Sequence, residues 1–231
     1  MFKTKIGKVN LKTFIWNASG VNCRTVPELQ ELDKCPDTAV VLCKSCTYNY
    51  RRGNPTPRYY EDQPMTFTIN SSGLPNIGYK EYSKRAESIS KPYFISVAGL
   101  KKETNIKMID ELSQNPHISG IELNLSCPNI IGKPQIGYDF EAMDNLLKEV
   151  KNVIHSPTLT FGVKMPPYFD TSHWETSAAI LNKYDLDFIT CINSLGNGLV
   201  IDTDSESVVI KPKNGFGGIG GIGIKPIALS N

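Results

Sequence analysis

Side chains capable of chemistry gather where an apolar run ends, in the stretch IELNLSCPNIIGKPQ at positions 121–135. Asn124, Ser126, Cys127 and Asn129 follow one another there within six positions. A free thiol has a pKa of about 8.5 and accepts a proton where its surroundings favour the thiolate. Cys127 is therefore the best candidate for an acid–base or nucleophilic role, and inert packing of a cysteine after a strand is an equally good interpretation from composition alone.

Most of the other apolar runs also end in residues that donate or accept hydrogen bonds or carry charge. An asparagine amide offers both a donor and an acceptor, and a lysine adds a mobile positive charge. Together these residue types predict a site for a planar, anionic, amide-rich ligand. The run ends are Ala18-Ser19-Gly20, Lys44-Ser45, Gly99, Asn124 to Cys127, Lys164 and Asn193-Ser194.

Several classes of function lack support in the sequence. There is no carboxylate pair, no H-E-x-x-H motif and no P-loop, and the three histidines are scattered. The 25 basic and 23 acidic residues give a net charge of +2 without a basic stripe, so nucleic acid and anionic membranes are not favoured partners. No apolar run approaches the length of a membrane span, and MFKTKIGKVN lacks the apolar core of a signal peptide. We expect a cytoplasmic protein with a small-molecule partner and no metal.

The six cysteines suit a reducing compartment, because most lie within apolar runs rather than at the spacings of a disulfide scaffold. Cys43 and Cys46 form a C-x-x-C sequence. Without a second pair or a nearby histidine, this motif is a weak signal for a metal or redox site. Buried strand cysteine is the preferred interpretation.

The elements that would position these residues alternate between strand and helix. Strand-length apolar runs occur at positions 14–19, 38–46, 93–99, 119–126, 159–165 and 187–193. Positions 139–154 carry an amphipathic helical stripe, and capping boxes at Thr25/Glu28 and Ser172/Glu175 predict two further helix starts. Strand and helix in alternation predict a parallel sheet, either doubly wound or closed as a (β/α)8 barrel.

The polar run ends favour the barrel. A barrel gathers all of its strand C-termini around one mouth, whereas a doubly wound sheet concentrates its site at one switch point. Positions 49–79 are rich in turn residues and too long for a simple connection, which predicts an excursion over the mouth. The glycine-rich GFGGIGGIGI is either a flexible linker or a ligand-contacting loop, and its position favours the loop.

Eight motifs, in order along the chain, resemble dihydroorotate dehydrogenases of the soluble, fumarate-using class 1A. They are NASGV from Asn17, KSCT from Lys44, GNPTPRY from Gly53, INSSGLPNIG from Ile69, ELNLSCPNIIGKPQ from Glu122, GVKMPPYFD from Gly162, NSLGNGLVID from Asn193 and SVVIKPKNGFGGIGG from Ser207. The resemblance implies a flavin-type (β/α)8 barrel, here a single partial domain over residues 1–231 with about six of the eight βα units. It also implies FMN-dependent oxidation of (S)-dihydroorotate to orotate in de novo pyrimidine synthesis, with fumarate reduced to succinate, by a homodimer.

The resemblance assigns a role to individual residues. Cys127 would be the general base, where a membrane-bound class of the family uses serine, and Lys44 and Lys164 would complete the catalytic set. The substrate-binding residues would be Lys44, Asn70, Gly73, Leu74, Asn124, Asn129, Asn193 and Ser194. The FMN-binding residues would be Ala18, Ser19, Gly20, Lys44, Ser45, Asn124, Lys164, Ile192, Gly220 and Gly221. The IIGKPQ segment would close over the substrate.

The sequence departs from the family at a few places. Ser72 stands where the family usually has methionine, and Cys46 where it has serine or cysteine. The sequence stops at IKPIALSN, which in the family opens the sixth helix, so the last two βα units and their FMN-phosphate loops are expected to be absent. It is then part of a longer chain or a truncated product that folds poorly, and we expect these 231 residues by themselves to bind FMN weakly at best. Alternative functions are an inactive barrel fragment and a flavin barrel acting on another dihydropyrimidine.

Overall fold

The structure is a computed structural model that describes residues 3–63, 66–126 and 135–231. The helices are α1 Val26–Lys34, α2 Tyr79–Arg85, α3 Lys102–Ser113, α4 Phe140–Val153, α5 Thr171–Leu181 and α6 Lys225–Ser230. The strands are β1 Thr4–Ile6, β2 Val9–Leu11, β3 Val41–Leu42, β4 Tyr59–Glu61, β5 Thr68–Asn70, β6 Tyr93–Val97, β7 Gly120–Asn124, β8 Thr160–Lys164, β9 Phe188–Thr190, β10 Leu195–Leu199, β11 Ile201–Asp202, β12 Ser207–Val208 and β13 Phe216–Gly220.

A parallel five-stranded sheet in the order β3-β6-β7-β8-β9 forms the centre of the fold. Its spatial order repeats its chain order, as in a barrel and unlike the reversing order of a doubly wound sheet. Every residue of β6, β7 and β8 is buried, which explains why these strands are nearly continuous apolar runs. The predicted barrel architecture is confirmed as a partial (β/α)8 barrel.

The two faces of this sheet bury different layers. The outer face packs Ile95, Ile121 and Leu123 into the main core, together with residues of α3 and α4 such as Met108 and Leu146. The inner face carries a smaller apolar cluster of Leu11, Ala39, Val40, Leu42 and Phe94, against which Phe188 packs. Beyond this cluster, toward the strand C-termini, the inner face becomes polar and carries the buried residues Ser96, Glu122 and Asn124.

A second, antiparallel sheet has the order β10-β13-β5-β4. The predicted excursion over residues 49–79 supplies β4 and β5 to it. The glycine-rich segment supplies β13, so it is a strand rather than a linker or a loop. It does line the cavity described below, and its contact with a ligand stays a prediction. Its glycines form backbone hydrogen bonds as a strand between β10 and β5, and this pairing is invisible to local sequence patterns.

Helix starts were predicted with mixed success. Thr25 caps α1 with the expected capping box to Glu28. The amphipathic stripe over 139–154 is confirmed by α4, which buries four apolar residues on one side. The capping box at Ser172 was wrong, because Asp170 is the N-cap residue of α5 and its carboxylate accepts a hydrogen bond from the His173 N–H at 2.9 Å.

The first predicted strand, at positions 14–19, was also wrong. Phe14 and Ile15 are more than half exposed, and no strand is assigned there. The segment is nevertheless fixed beside β3, since the Asn17 side chain exchanges two hydrogen bonds with the Leu42 backbone, at 2.7 and 3.0 Å. An amide side chain thus replaces the ladder that a strand would form. Within the predicted strand at 38–46, the regular strand is limited to β3, Val41–Leu42.

The preferred interpretation of the C-x-x-C sequence is confirmed, because Cys43 and Cys46 are free, fully buried thiols in the main core. Within the described ranges, no group of histidine, cysteine or acidic residues is arranged to hold a metal ion. Across those same ranges, every helix is too short or too polar to cross a membrane.

Candidate functional site

A cavity of about 270 Å³ lies between the C-terminal ends of the parallel strands and the antiparallel sheet. The strand ends supply Lys44, Ser45, Asn124, Lys164 and Asn193. The antiparallel sheet and its connections supply the opposite wall, including Asn70 and Gly218. This is the position in which the barrel prediction placed a site.

Most of the site residues predicted from the sequence line this single cavity. They are Ser19, Gly20, Lys44, Ser45, Asn70, Gly73, Leu74, Asn124, Lys164, Asn193 and Ser194. Residues more than 170 positions apart in the chain therefore meet around one space.

Other predicted site residues lie elsewhere. Ala18 and Ile192 are sequence neighbours of lining residues but are not part of the wall. Gly220 is the last residue of β13, next to Thr68, and Gly221 follows it next to Phe67; neither lines the cavity. Cys127 and Asn129 lie outside the described residues. The roles assigned to these six positions stay predictions.

The described wall of the cavity is cationic. Lys44, Lys164 and Lys213 line it, whereas no aspartate or glutamate is found among its described lining residues. Lys164 is only 8% exposed, and its ammonium forms no hydrogen bond or salt bridge with another described residue. An anionic ligand in the cavity would give this ammonium a partner.

Asn124 and Asn193 form a fixed amide pair on the floor of the cavity. The Asn124 Oδ1 accepts hydrogen bonds from the Ser126 N–H at 3.0 Å and from Asn193 Nδ2 at 3.3 Å. The Asn193 Oδ1 in turn accepts from the Ser194 N–H at 2.9 Å. Both oxygens therefore accept hydrogen bonds within the protein. Asn193 Nδ2 also reaches the Ser126 carbonyl at 3.5 Å, and one N–H of Asn124 donates to Ser45 Oγ at 3.3 Å, so the second N–H of Asn124 is the group left to donate to a ligand.

The opposite wall is organised around Asn54 and Asn70. Asn54 Nδ2 donates to the Ser71 carbonyl at 2.8 Å, and Asn70 Nδ2 donates to the Gly218 carbonyl at 3.4 Å. Ser72 donates from its hydroxyl to Asn70 Oδ1 at 3.3 Å. The residue that departs from the family pattern therefore orients a predicted substrate-binding amide, which a methionine could not do.

Two glycines bring the backbone close to this wall. Gly73 has φ of +69°, and a Cβ there would collide with the Asn54 side chain. At Gly218, a Cβ would collide with the Ser194 hydroxyl. Gly196 also lines the cavity, but a Cβ there would meet nothing within 4 Å.

The described cysteines are poor candidates for proton transfer. Burial raises the pKa of the Cys43 and Cys46 thiols, and burial also raises the pKa of Cys23 and Cys191. A raised pKa leaves little thiolate at neutral pH. None of these thiols lines the cavity.

The two residues that border positions 127–134 are held together at the cavity. Ser126 and Gln135 both line it, and the Ser126 hydroxyl donates to Gln135 Oε1 at 2.8 Å. The backbone of Gly137 donates to the Leu125 carbonyl at 2.9 Å. Ser126, the residue directly before Cys127, therefore lies at the cavity wall.

Sequence reasoning missed several lining residues, mostly on the antiparallel sheet. Asn54 and Lys213 lie within the quoted motifs GNPTPRY and SVVIKPKNGFGGIGG, so the motifs themselves carried the signal. Phe216 and Gly217 lie in the second of these motifs as well, but their place on the wall depends on the pairing of β13 with β5 across 148 positions. No local pattern reports such a pairing.

Comparisons with known proteins agree with one another. A sequence model of the family described as dihydroorotate dehydrogenase matches residues 1–231. The chain is 47% identical over 238 residues to dihydroorotate dehydrogenase A (fumarate) of Lactococcus lactis, covering all of this chain and 74% of that protein. It is 51% identical over 225 residues to dihydroorotate dehydrogenase (fumarate) of Trypanosoma cruzi, covering 93% of this chain and 69% of that protein.

A solved structure, the ligand-free type DHODH from Eimeria tenella, is similar in fold. It superposes with a TM-score of 0.73 over 99% of this chain and 70% of the Eimeria chain, at 15% sequence identity. This likeness concerns the fold alone.

Proposed function

The chain belongs to the dihydroorotate dehydrogenase family, and we propose that it oxidises (S)-dihydroorotate to orotate in de novo pyrimidine biosynthesis, with FMN as cofactor and fumarate as electron acceptor. The fumarate preference follows the names of the relatives that are 47% and 51% identical to it.

The observation that carries this proposal is the chemistry of the cavity wall. Dihydroorotate is a carboxylate attached to a ring of alternating amide groups. The described wall offers lysine ammonium groups for the carboxylate and asparagine side chains for the ring, without a lining carboxylate that would repel the substrate. A dihydropyrimidine without a carboxylate would leave this positive charge unused.

The wall also fits FMN. Lys164 is a buried, unpartnered cation within the described residues, and Ser19, Gly20 and Ser45 are small residues at the strand ends where a flat ring could approach the backbone. We assign Lys44, Lys164, Ser19, Gly20, Ser45 and Asn124 to FMN, with Lys44 and Asn124 shared between FMN and the substrate. When bound, FMN supplies the acceptor for the hydride that leaves C6 of dihydroorotate and passes the electrons to fumarate, which becomes succinate.

The protein's own contribution is to bind, orient and deprotonate the substrate. Cys127 is proposed as the base that removes the C5 proton, supported by the cavity position of its neighbour Ser126. Asn70, Asn124 and Asn193, with Ser194, would hold the ring, while Asn129 belongs to the same proposed set. Lys164 would stabilise the negative charge that accumulates on the reduced cofactor.

A homodimer and a cytoplasmic location complete the proposal. Both derive from the resemblance of the sequence to the soluble class.

The test is an assay of the purified chain with added FMN, dihydroorotate and fumarate. We expect orotate to form, and we expect dihydrouracil to be oxidised at least about 100-fold more slowly because it lacks the carboxylate. Cys127→Ala should abolish orotate formation, with Cys35→Ala as the matched control, since Cys35 does not line the cavity. Equal rates with dihydrouracil would refute the substrate assignment.

A further inference from the structure

The inner face of the sheet buries a carboxylate that the proposed chemistry does not use. Glu122 is 1% exposed and lies on β7 two residues before Asn124. It sits between the inner apolar cluster containing Phe94 and the floor of the cavity. Among the described residues, Glu122 is the one buried acidic side chain and Lys164 is the one buried basic side chain.

Both oxygens of Glu122 accept hydrogen bonds from hydroxyl groups. Ser96 Oγ donates to Oε1 and Thr190 Oγ1 donates to Oε2, each at 2.8 Å. Both oxygens therefore act as acceptors, which is the arrangement that a carboxylate requires. Lys164 lies on the adjacent strand β8, paired with Asn124 and thus one inward-facing step beyond Glu122, which places a positive charge on the same face.

A chain of serine hydroxyls connects this carboxylate to the cavity. Ser96 Oγ lies 2.9 Å from Ser45 Oγ, which lies 3.0 Å from Ser19 Oγ. Ser45 and Ser19 both line the cavity. Asn124 Nδ2 also donates to Ser45 Oγ, at 3.3 Å.

An ionised Glu122 fixes the direction of every bond in this chain. A carboxylate only accepts, so Ser96 must use its single proton on Glu122. Ser45 must then donate to Ser96, and Ser19 must donate to Ser45. Ser19 Oγ additionally accepts the Ser45 N–H at 2.7 Å, so the hydroxyl of Ser19 has only a lone pair left for a ligand in the cavity.

We propose that Glu122 is a positioning residue: its buried carboxylate orients the Ser96–Ser45–Ser19 hydroxyl chain so that Ser19 presents a hydrogen-bond acceptor, and Asn124 a donor, to the ligand at the cavity floor. A neutral side chain at position 122 removes this constraint, so the hydroxyl groups of Ser96, Ser45 and Ser19 can donate in either direction. The inference rests on the proposed function only for the identity of that ligand, FMN.

The first test titrates the protein with FMN. It measures whether Glu122 and Ser19, at the two ends of the hydroxyl chain, act on the same hydrogen bond to the ligand. Glu122→Gln keeps the size of the side chain and removes its charge, and we expect about a tenfold higher Kd for FMN. Ser19→Ala should raise the Kd to a similar extent. In the double variant the two effects should not multiply, because the same hydrogen bond to the ligand is lost in each.

Matched variants separate positioning from a loss of structure. Glu111→Gln removes another carboxylate that accepts a hydroxyl hydrogen bond, from Tyr79 at 2.6 Å, but neither residue lines the described cavity, so the Kd should be unchanged. Ser96→Ala interrupts the chain while leaving Glu122 intact and should reproduce the Glu122→Gln effect. Independent, multiplying effects of Ser19→Ala and Glu122→Gln, or a Kd within twofold of wild type for Glu122→Gln, would overturn the proposal.

A second readout needs no cofactor. In infrared difference spectra of the ligand-free wild type and Glu122→Gln, we expect the lost band to be that of an ionised carboxylate. A lost band of a protonated carboxyl group would overturn the proposal. If wild type binds no FMN, the proposed function fails, and the infrared spectrum still tests the direction of the hydroxyl chain.

Discussion

The two walls of the cavity are built on different physical principles. The barrel floor, defined here as β6, β7 and β8, has every residue buried. The cover, defined as the antiparallel sheet β4, β5, β10 and β13, is half exposed, with β4 exposed throughout. The floor is held by apolar packing on its outer face and by buried polar contacts on much of its inner face, and the cover by backbone pairing between distant segments.

This difference implies that the floor and the cover have different roles. A fully buried floor can hold charged and polar groups in fixed positions, because their surroundings cannot rearrange. A half-exposed cover contributes less to stability and is suited to admitting and contacting a ligand. Four predictions test this difference between the floor and the cover, from the largest expected effect to the smallest.

Lysines on the two walls should contribute very differently to catalysis. Lys164 on the floor is buried and unpartnered among described residues, whereas Lys213 next to the cover is exposed. We expect Lys164→Gln to lower the rate of orotate formation by about 100- to 1,000-fold, since a preorganised buried charge is lost. Lys213→Gln should cost less than about tenfold, because water screens an exposed charge. Comparable losses of rate in steady-state assays of the two variants would contradict the proposed difference between the floor and the cover.

The same residue type can be removed from each wall to compare stability. Leu123 on β7 is fully buried and Leu199 on β10 is 43% exposed. Leu123→Ala should lower the free energy of unfolding by about 3 kcal/mol, because it leaves a cavity in the core. Leu199→Ala should lower it by less than about 1 kcal/mol. Urea denaturation measures both, and equal losses would show that the cover is as tightly packed as the floor.

Close approach of the backbone distinguishes two glycines on the cover. Gly218→Ala forces a methyl group against the Ser194 hydroxyl, while Gly196→Ala points into open space. We expect the first variant to lose about 2 kcal/mol of stability and to bind FMN more weakly, because overpacking displaces Ser194. The second should stay within about 0.5 kcal/mol of wild type. Thermal unfolding and FMN titration of both variants decide whether the contact is as close as the structure shows.

Buried thiols in the main core should make the free energy of unfolding fall at alkaline pH. The pKa of Cys43 is raised by burial above its ordinary value, so the folded chain keeps a proton that the unfolded chain releases. This contribution is fully present below about pH 8.5 and is lost as pH rises toward the folded-state pKa, by about 1 kcal/mol per pH unit. Cys43→Ala should therefore flatten the fall in urea midpoint above that pH. An unchanged slope would place the titrating group elsewhere, and Cys35→Ala is the control.

The floor could be predicted from the sequence, while the cover could be predicted only in outline. Val163 and Ile121 belong to apolar runs whose length and flanks already indicate a buried strand, and the polar residues that follow them, Lys164 and Asn124, line the cavity as expected. The glycine-rich strand β13 has no local strand signal, because glycine weakens a strand and only its distant partners stabilise it.

The errors at the N-terminal segment and at Ser172 have a similar origin. Asn17 replaces a backbone ladder with its side chain, and Asp170 competes successfully with Ser172 as the cap of α5. Both outcomes depend on which of several equivalent polar groups finds a partner in three dimensions, which sequence spacing does not decide.

The most direct measurement of the proposed function is the absorbance of the FMN-titrated protein when dihydroorotate is added without oxygen. We expect FMN to bind saturably, its visible absorbance band to bleach on addition of dihydroorotate, and the band to return on addition of fumarate. A chain that binds no FMN, or bound FMN whose absorbance dihydroorotate leaves unchanged, would contradict the assignment of this cavity as a dihydroorotate-oxidising site.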